Sequence, residues 1–225
     1  TAHMDTVEPG NGIKPRINKG VIKSDGTTIL GADNKAAVAV LLELLTLCSI
    51  QQHSGRPLEF VFTRSEESGN IGATNLDASL LKSKVGYSFD SGEPLGTVFI
   101  GSPFYDRFDI TITGKSAHAS IPEEGNNALL AAQQLMRHIP IGRIDRHTIA
   151  NVGVIQGGSV RNTIPEEVQL QGEIRSFVES HINNVGKKLQ TDARQVAHST
   201  KTNIAVSIVR ENPGYLLSSN HPLIT

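Results

Sequence analysis

The chain has 225 residues, 38% of them hydrophobic and 19% charged, the make-up of an ordinary globular protein of one large or two modest domains. A formal net charge of -1 excludes the electrostatic footprint of a nucleic-acid binder or of a protein held on an anionic membrane. A single cysteine, Cys48, excludes an internal disulfide framework, and with no apolar run near the roughly 20 residues that span a bilayer and no export signal, the expected location is cytoplasmic.

Taken in chain order, the first hundred residues alternate strand-like and helix-like signals. Gly31 to Asn34 reads as a turn into a helix over about 34–48, with Ala37, Val40, Leu41, Leu44, Leu45 and Cys48 on a buried stripe at helical spacing. Gly55-Arg56-Pro57 breaks the chain, and an apolar strand is expected over 58–63. A second helix over about 71–82 and a short strand over 85–90 follow. Strands separated by helices predict a mostly parallel α/β sheet, with ligands collecting at the carboxyl ends of the strands.

From Arg107 the pattern changes. Phe108, Ile110 and Ile112 alternate with Asp109, Thr111 and Thr113 as in a half-buried strand. A helix over about 126–138, strands over 148–156 and 167–176, a long amphipathic helix over 180–198 and a closing strand over 203–210 complete a β-α-β-β-α-β order. That order predicts a ferredoxin-like α+β domain inserted into the α/β domain. Asn212-Pro213-Gly214 then reads as its exit. The expected division is 1–103 for the first part of the α/β domain, 104–211 for the inserted α+β domain, and 212–225 for a return to the first.

Several residues carry chemistry. His3 and Asp5, two apart in an extended segment, point to one face, where His3 can bind a metal and Asp5 can orient it. A solvated strand-end pair is an equal reading of these two alone. Asp33, just before a helix, is explained better by an N-cap than by a ligand when taken alone. Adjacent carboxylates at Glu66 and Glu67, past an apolar strand, repel each other unless a cation is present. A metal site uses both, one as ligand and one to take a proton from the bound water. Asp90 ends a strand beside Phe89, where burial is costly without a partner. Jointly, oxygen and imidazole donors without thiolates suit a hydrolytic zinc, manganese or cobalt site. The remaining histidines His53, His138, His147, His181 and His198 sit in polar connections or on a polar helix face and are read as bland.

These motifs, in the order His-x-Asp, Gly-Ala-Asp, Glu-Glu-x-Gly and Asp, resemble the M20 family of two-metal peptidases over the whole chain. The run from Ser24 to Asp33 and Gly142-Arg143-Ile144-Asp145 most resemble its peptidase T-like, tripeptide aminopeptidase branch. The resemblance implies that Asp33 bridges two zinc ions (cobalt or manganese being alternatives), that His3 and Asp90 complete one ion and that Glu67 holds the other. It implies Glu66 as general base, Asp5 behind His3, and hydrolysis of short peptides from the amino end. An aspartate at position 90 resembles the aminopeptidase members, whereas deacylases and carboxypeptidases of the family, the rival readings along with a non-catalytic dimerising homologue, usually carry glutamate. The inserted domain, 104–211, resembles the family's lid and dimerisation domain, next to a catalytic metal-binding domain at 1–103 and 212–225. In it His118, in Gly114-Lys115-Ser116-Ala117-His118-Ala119, together with Asn162 and Arg175, would contact substrate, His118 in several relatives across a homodimer.

Two departures are visible. The family usually has aspartate and glycine where this chain has Asn34 and Ala37, and the lost charge at Asn34 is expected to weaken metal affinity. The histidine that completes the ion held by Glu67 is not matched here. The chain opens on a strand end already carrying His3 and Asp5, so it reads as an interior piece of a longer protein with that ligand beyond Thr225. Uncovered sheet edges and apolar helix faces are expected to follow.

Overall fold

The structure, a computed structural model, describes residues 1–50, 55, 57–221 and 224. His53 and Arg56 lie outside the described residues. The chain divides into two compact units, Thr1–Thr97 and Val98–Thr225.

In the first unit β1 (Ala2–His3) is followed by a hairpin of β2 (Arg16–Asn18) and β3 (Val21–Lys23), then α1 (Ala32–Ile50), β4 (Phe62–Thr63) and the single turn α2 (Ile71–Thr74). β1 and β4 pair in parallel, Ala2 with Phe62 and His3 with Thr63. The segment expected as a strand over 85–90 lacks a regular ladder. It still runs alongside β1, because the Thr1 amine donates to the Tyr87 carbonyl and the Phe89 amide donates to that of Thr1, the pattern of a parallel pair. Three chain segments thus run side by side in one direction, the α/β arrangement expected, with short strands.

Two expectations need correction here. The helix over 71–82 is only α2 plus a 3-10 turn at Ala78–Leu80. Asp77 takes the Ser79 amide at 3.0 Å and the Ser79 hydroxyl at 2.6 Å, a local alternative that stops the helix from continuing. The buried stripe of α1 is narrower than the spacing suggested. Ala37 and Leu41 are buried against Ala2, Phe60 and Phe62, whereas Val40, Leu44 and Leu45 are exposed and Cys48 is half-buried.

The second unit holds β5 (Gly101–Thr113), β6 (Ala117–His118), α3 (Ala128–Met136), β7 (Gly142–Arg143), β8 (Thr148–Gly157), β9 (Thr163–Ile164), β10 (Glu167–Ser176), α4 (Glu179–Thr200) and β11 (Asn203–Leu216). Its sheet runs β11-β5-β10-β8-β7. Setting aside the two-residue β7, the fourth long strand lies beside the first and the third between first and second, which is the ferredoxin-like arrangement. Alternate residues Phe108, Ile110 and Ile112 of β5 and Val168, Leu170 and Ile174 of β10 face one side and are fully buried. α3 covers them with the small side chains of Ala128, Ala131 and Ala132 and with Leu135, and α4 with Ile182, Leu189, Ala193 and Val196. Asn127 caps α3 by accepting the amides of Leu129 and Leu130. Gly186 lets α4 come close to β11, since an added Cβ would stand 3.3 Å from Ile208.

β11 extends past the expected end at 210. The pairing slips between Arg210 and Asn212, then resumes to Leu216 opposite Gly101. Pro213 is tolerated because β11 is the edge strand, paired on one side only, and a bulge absorbs the extra residue. Among the described residues no helix is long and apolar enough to cross a membrane.

Candidate metal centre

The parallel pair β1–β4 and the segment beside it all end on the same side, and each carries a candidate residue past its end. β1 presents His3 and then Asp5, the chain beyond β4 presents Glu66 and Glu67, the third segment presents Asp90, and the start of α1 adds Asp33. Their placement follows from backbone direction, since the carboxyl ends of parallel strands open together at one edge.

His3 is the hub. It is only 3% exposed. Its Nε2 lies 3.0 Å from an Asp33 oxygen and 3.7 Å from an Asp90 oxygen, and its Nδ1 lies 3.4 Å from Asp5. The donor atoms of His3, Asp33 and Asp90 fall within 4.8 Å of one another, as do those of His3, Glu66 and Glu67. Asp33 and Asn34 have non-helical backbone (φ -83°, ψ 109° and φ -115°, ψ 34°), so the helix proper starts after them. The Asp33 carboxylate is turned to the imidazole.

Asp5 does something the sequence did not suggest. Its two oxygens accept the backbone amides of Glu66 at 3.1 Å and Glu67 at 3.2 Å. The aspartate behind the imidazole therefore also fixes the loop that bears the paired glutamates. Desolvation is the largest single influence and raises the Asp5 carboxyl, but the Glu66 and Glu67 amides, with its own amide and His3, together outweigh it and hold the carboxyl below the usual range.

The donor set fits a divalent cation. Asp33 and Asp90 both face one nitrogen, Nε2, which carries at most one proton and so cannot satisfy both. The buried Nδ1 has no hydrogen-bond partner, its approach to Asp5 being too loose to count as one. The imidazole is surrounded by acidic groups. Burial disfavours its charged form, but the hydrogen bond to Asp33 and the carboxylates of Asp90, Glu66 and Asp33 overcome this and raise its pKa. Crowding shows on the acids too. Glu66 is raised first by burial and then by Asp90, with His3 opposing. Asp90 is raised by burial and by Asp33, again with His3 opposing. A cation at Nε2 would relieve each of these, leaving Nδ1–H free to point at Asp5 and the acids ionised.

The second unit brings together two of its three singled-out residues. His118 in β6 pairs with Thr163 of β9, and the Ala119 amide donates to the Asn162 carbonyl at 2.9 Å, so His118 and Asn162 are neighbours. His118 Nδ1 lies 2.7 Å from the Ser120 hydroxyl. Arg175 stands apart, near the far end of β10 and roughly 26 Å from its start at about 3.3 Å per residue. It lies over the Tyr105 ring, 4.5 Å from the centroid, and donates twice to Glu173, at 3.1 and 3.0 Å. Of the histidines read as bland, His181 pairs with Asp145 at 3.0 Å.

Residues 105–201 match the model of the M20 peptidase dimerisation domain. The crystal structure of the aminopeptidase PepT of Bacillus cereus superposes with a TM-score of 0.94 at 36% identity, covering 99% of this chain and 60% of that one. The crystal structure of a Staphylococcus aureus tripeptidase gives 0.91 at 37% identity, over 98% of this chain and 60% of that one. An uncharacterised Bacillus subtilis protein, YqjE, is 38% identical across 96% of this chain, which spans 58% of its length. The chain thus spans about three fifths of the relatives it matches. It belongs to the M20 peptidase family and lies on the peptidase T side of it.

Proposed function

We propose that the protein is a two-metal peptidase that removes residues from the amino end of short peptides, with zinc as its metal. The observation that carries this is that two sets of donors share the buried His3 imidazole, His3 with Asp33 and Asp90 and His3 with Glu66 and Glu67, each set within 4.8 Å of one another. The likeness to structures described as an aminopeptidase and a tripeptidase supports the choice of substrate.

In this reading His3 and Asp90 would hold one ion, Glu67 would hold the second, and Asp33 would contribute to both. Bound there, the ions would polarise the scissile carbonyl and lower the pKa of water. Glu66 is free to work on protons. Its carboxylate, ionised beside a bound cation, suits a general base. It takes a proton from the attacking water as the C–O bond forms and delivers it to the amine nitrogen as the C–N bond breaks. Asp5 holds the Glu66 loop and the His3 ring, so base and ligands keep one geometry.

Residues 104–211 serve in this proposal as a lid and dimerisation domain inserted between 1–103 and 212–225. His118 and Asn162 meet the substrate carbonyl and backbone, and Arg175 meets its far end, within a homodimer. The single cysteine fits a reducing compartment, and we place the protein in the cytoplasm.

Glu66→Gln tests the assignment. Metal content should stay as in the wild type while hydrolysis of di- and tripeptides falls by about 100-fold or more, the scale of general-base catalysis. Unchanged turnover would sink it. A panel that sets free-amino peptides against N-acyl amino acids and carboxyl-end substrates separates an aminopeptidase from a deacylase or carboxypeptidase.

A further inference from the structure

Immediately after Asp33, two side chains reach the main chain of the other site segments. Asn34 is buried, 5% exposed, and its Nδ2 donates to the Phe89 carbonyl at 2.6 Å. Lys35 is on the surface, and its Nζ donates to the Met4 carbonyl. Phe89 precedes Asp90, and Met4 separates His3 from Asp5. Both residues sit where a strand leaves its ladder. The Met4 amide still donates to the Thr63 carbonyl at 2.8 Å and the Phe89 amide to Thr1 at 3.1 Å. Their carbonyls lie at the last rung, and a backbone carbonyl there needs a partner to hold its orientation. Asn34 and Lys35 supply the partners.

Resting on the two-metal reading above, we infer that Asn34 and Lys35 are positioning residues, a pair of main-chain clamps that set Asp90 and the His3–Asp5 segment around Asp33. Three consecutive residues then organise the site, Asp33 with its carboxylate and the next two by gripping the backbone beside its partners. The chemistry of position 34 is specific. A carbonyl oxygen accepts only a donor, so in this chain the amide nitrogen of Asn34 faces Phe89, a bond that an ionised carboxylate at this position could not make. Aspartate has the same shape, yet it would set a carboxylate oxygen against a carbonyl oxygen and add charge to a cluster already rich in acids. Charge alone gives the opposite expectation, that Asn34 weakens the metal site for want of a carboxylate, and the variant Asn34→Asp decides between them. At position 35 the requirement is a long cationic donor, which arginine also meets.

The test is a titration of the purified, metal-free protein with Co2+, followed by its visible absorption, on wild type, Asn34→Asp, Lys35→Met and Lys35→Arg. Kinetics on a tripeptide and thermal melting of the metal-free forms accompany it. Asn34→Asp is expected to weaken one of two Co2+ equivalents by about 10- to 100-fold, the usual effect of losing a group that orients a ligand. Lys35→Met should weaken binding in the same sense but less, being exposed, and Lys35→Arg should restore it. For both weakened variants kcat falls more than KM rises, and the metal-free melting temperature stays near that of the wild type. Asn34→Asp that binds Co2+ as tightly as wild type or more tightly overturns the inference, and so does Lys35→Met indistinguishable from Lys35→Arg. If Asn34→Asp does not fold, the Lys35 pair decides alone. A wild type that takes up no Co2+ overturns the two-metal reading and the clamp with it. Wild-type uptake with unaffected variants overturns the clamp alone.

Discussion

Asp5 shows how one side chain can hold two parts of a site. Its carboxylate has an oxygen for each of the Glu66 and Glu67 amides and faces His3 Nδ1 at 3.4 Å. Asp5→Asn keeps the shape but offers one oxygen, and its amide hydrogens would confront a backbone N–H. The loop bearing both glutamates should loosen. Turnover is expected to fall by about 10- to 100-fold together with metal affinity, which distinguishes this variant from Glu66→Gln, where affinity is kept. Steady-state kinetics paired with a metal titration checks it, and an Asp5→Asn variant with wild-type affinity and kcat would show that the amides do not need the carboxylate. The candidate residues were legible from type and order because ligands and bases come from a short list of side chains. The contacts that place them were not. Asp5 meets amides 61 and 62 residues away, and Asn34 meets a carbonyl 55 residues away, separations that no local spacing encodes.

Elements were readable to the degree that periodicity was complete. The strands and helices of the second unit carry full alternation or helical stripes, and their bounds fall within a few residues of those expected. β5, which starts at Gly101, six residues ahead of Arg107, is one exception, and β11 is the other. Its Asn212-Pro213-Gly214 looks like an exit, but an edge strand tolerates a proline that a central strand would reject. In the first unit, helical propensity over 71–82 lost to the side-chain turn at Asp77, and three residues of the stripe expected on α1, Val40, Leu44 and Leu45, are exposed because spacing records a face without recording what covers it. Glycine at 172 illustrates packing between elements. Gly172 stands opposite Phe108 in β10 and next to a register shift with β8, and an added Cβ would meet the Phe108 ring at 2.2 Å and the Asn151 carbonyl at 2.3 Å. Phe108 is fully buried and the second obstacle is backbone, so neither gives way cheaply. Gly172→Ala should cost about 2–3 kcal/mol of stability in the second unit, within the range for overpacked cores. Denaturant unfolding measures it, and a loss near zero would mean that the sheet bends there more easily than its packing implies.

At the scale of the molecule the two units differ in what holds them together. The second has a continuous core joining β5, β8, β10, α3 and α4, whereas the buried cluster of the first is Ala2, Ala37 and Leu41 with Val38, Phe60 and Phe62 against it. The first also carries the acidic cluster, whose carboxylates repel one another without a cation. Metal ions that bind the folded site and not the unfolded chain stabilise the unit that contains it, by about 2.7 kcal/mol at a free concentration 100 times the dissociation constant. Calorimetry of the protein should therefore resolve a transition that rises with added Zn2+ and falls with a chelator, and a second that responds to neither. Gly172→Ala should lower only the second transition, and Asp33→Asn should blunt the metal response of only the first. This follows from local composition: the first unit has few apolar contacts to replace the missing charge compensation, while the second buries its polar groups in pairs such as Asp106 with Arg210 and Thr148 with Ser176. Equal shifts of both transitions with Zn2+ would mean that the ions act on the whole fold, and the account of a metal-dependent first unit beside a self-sufficient second would be wrong.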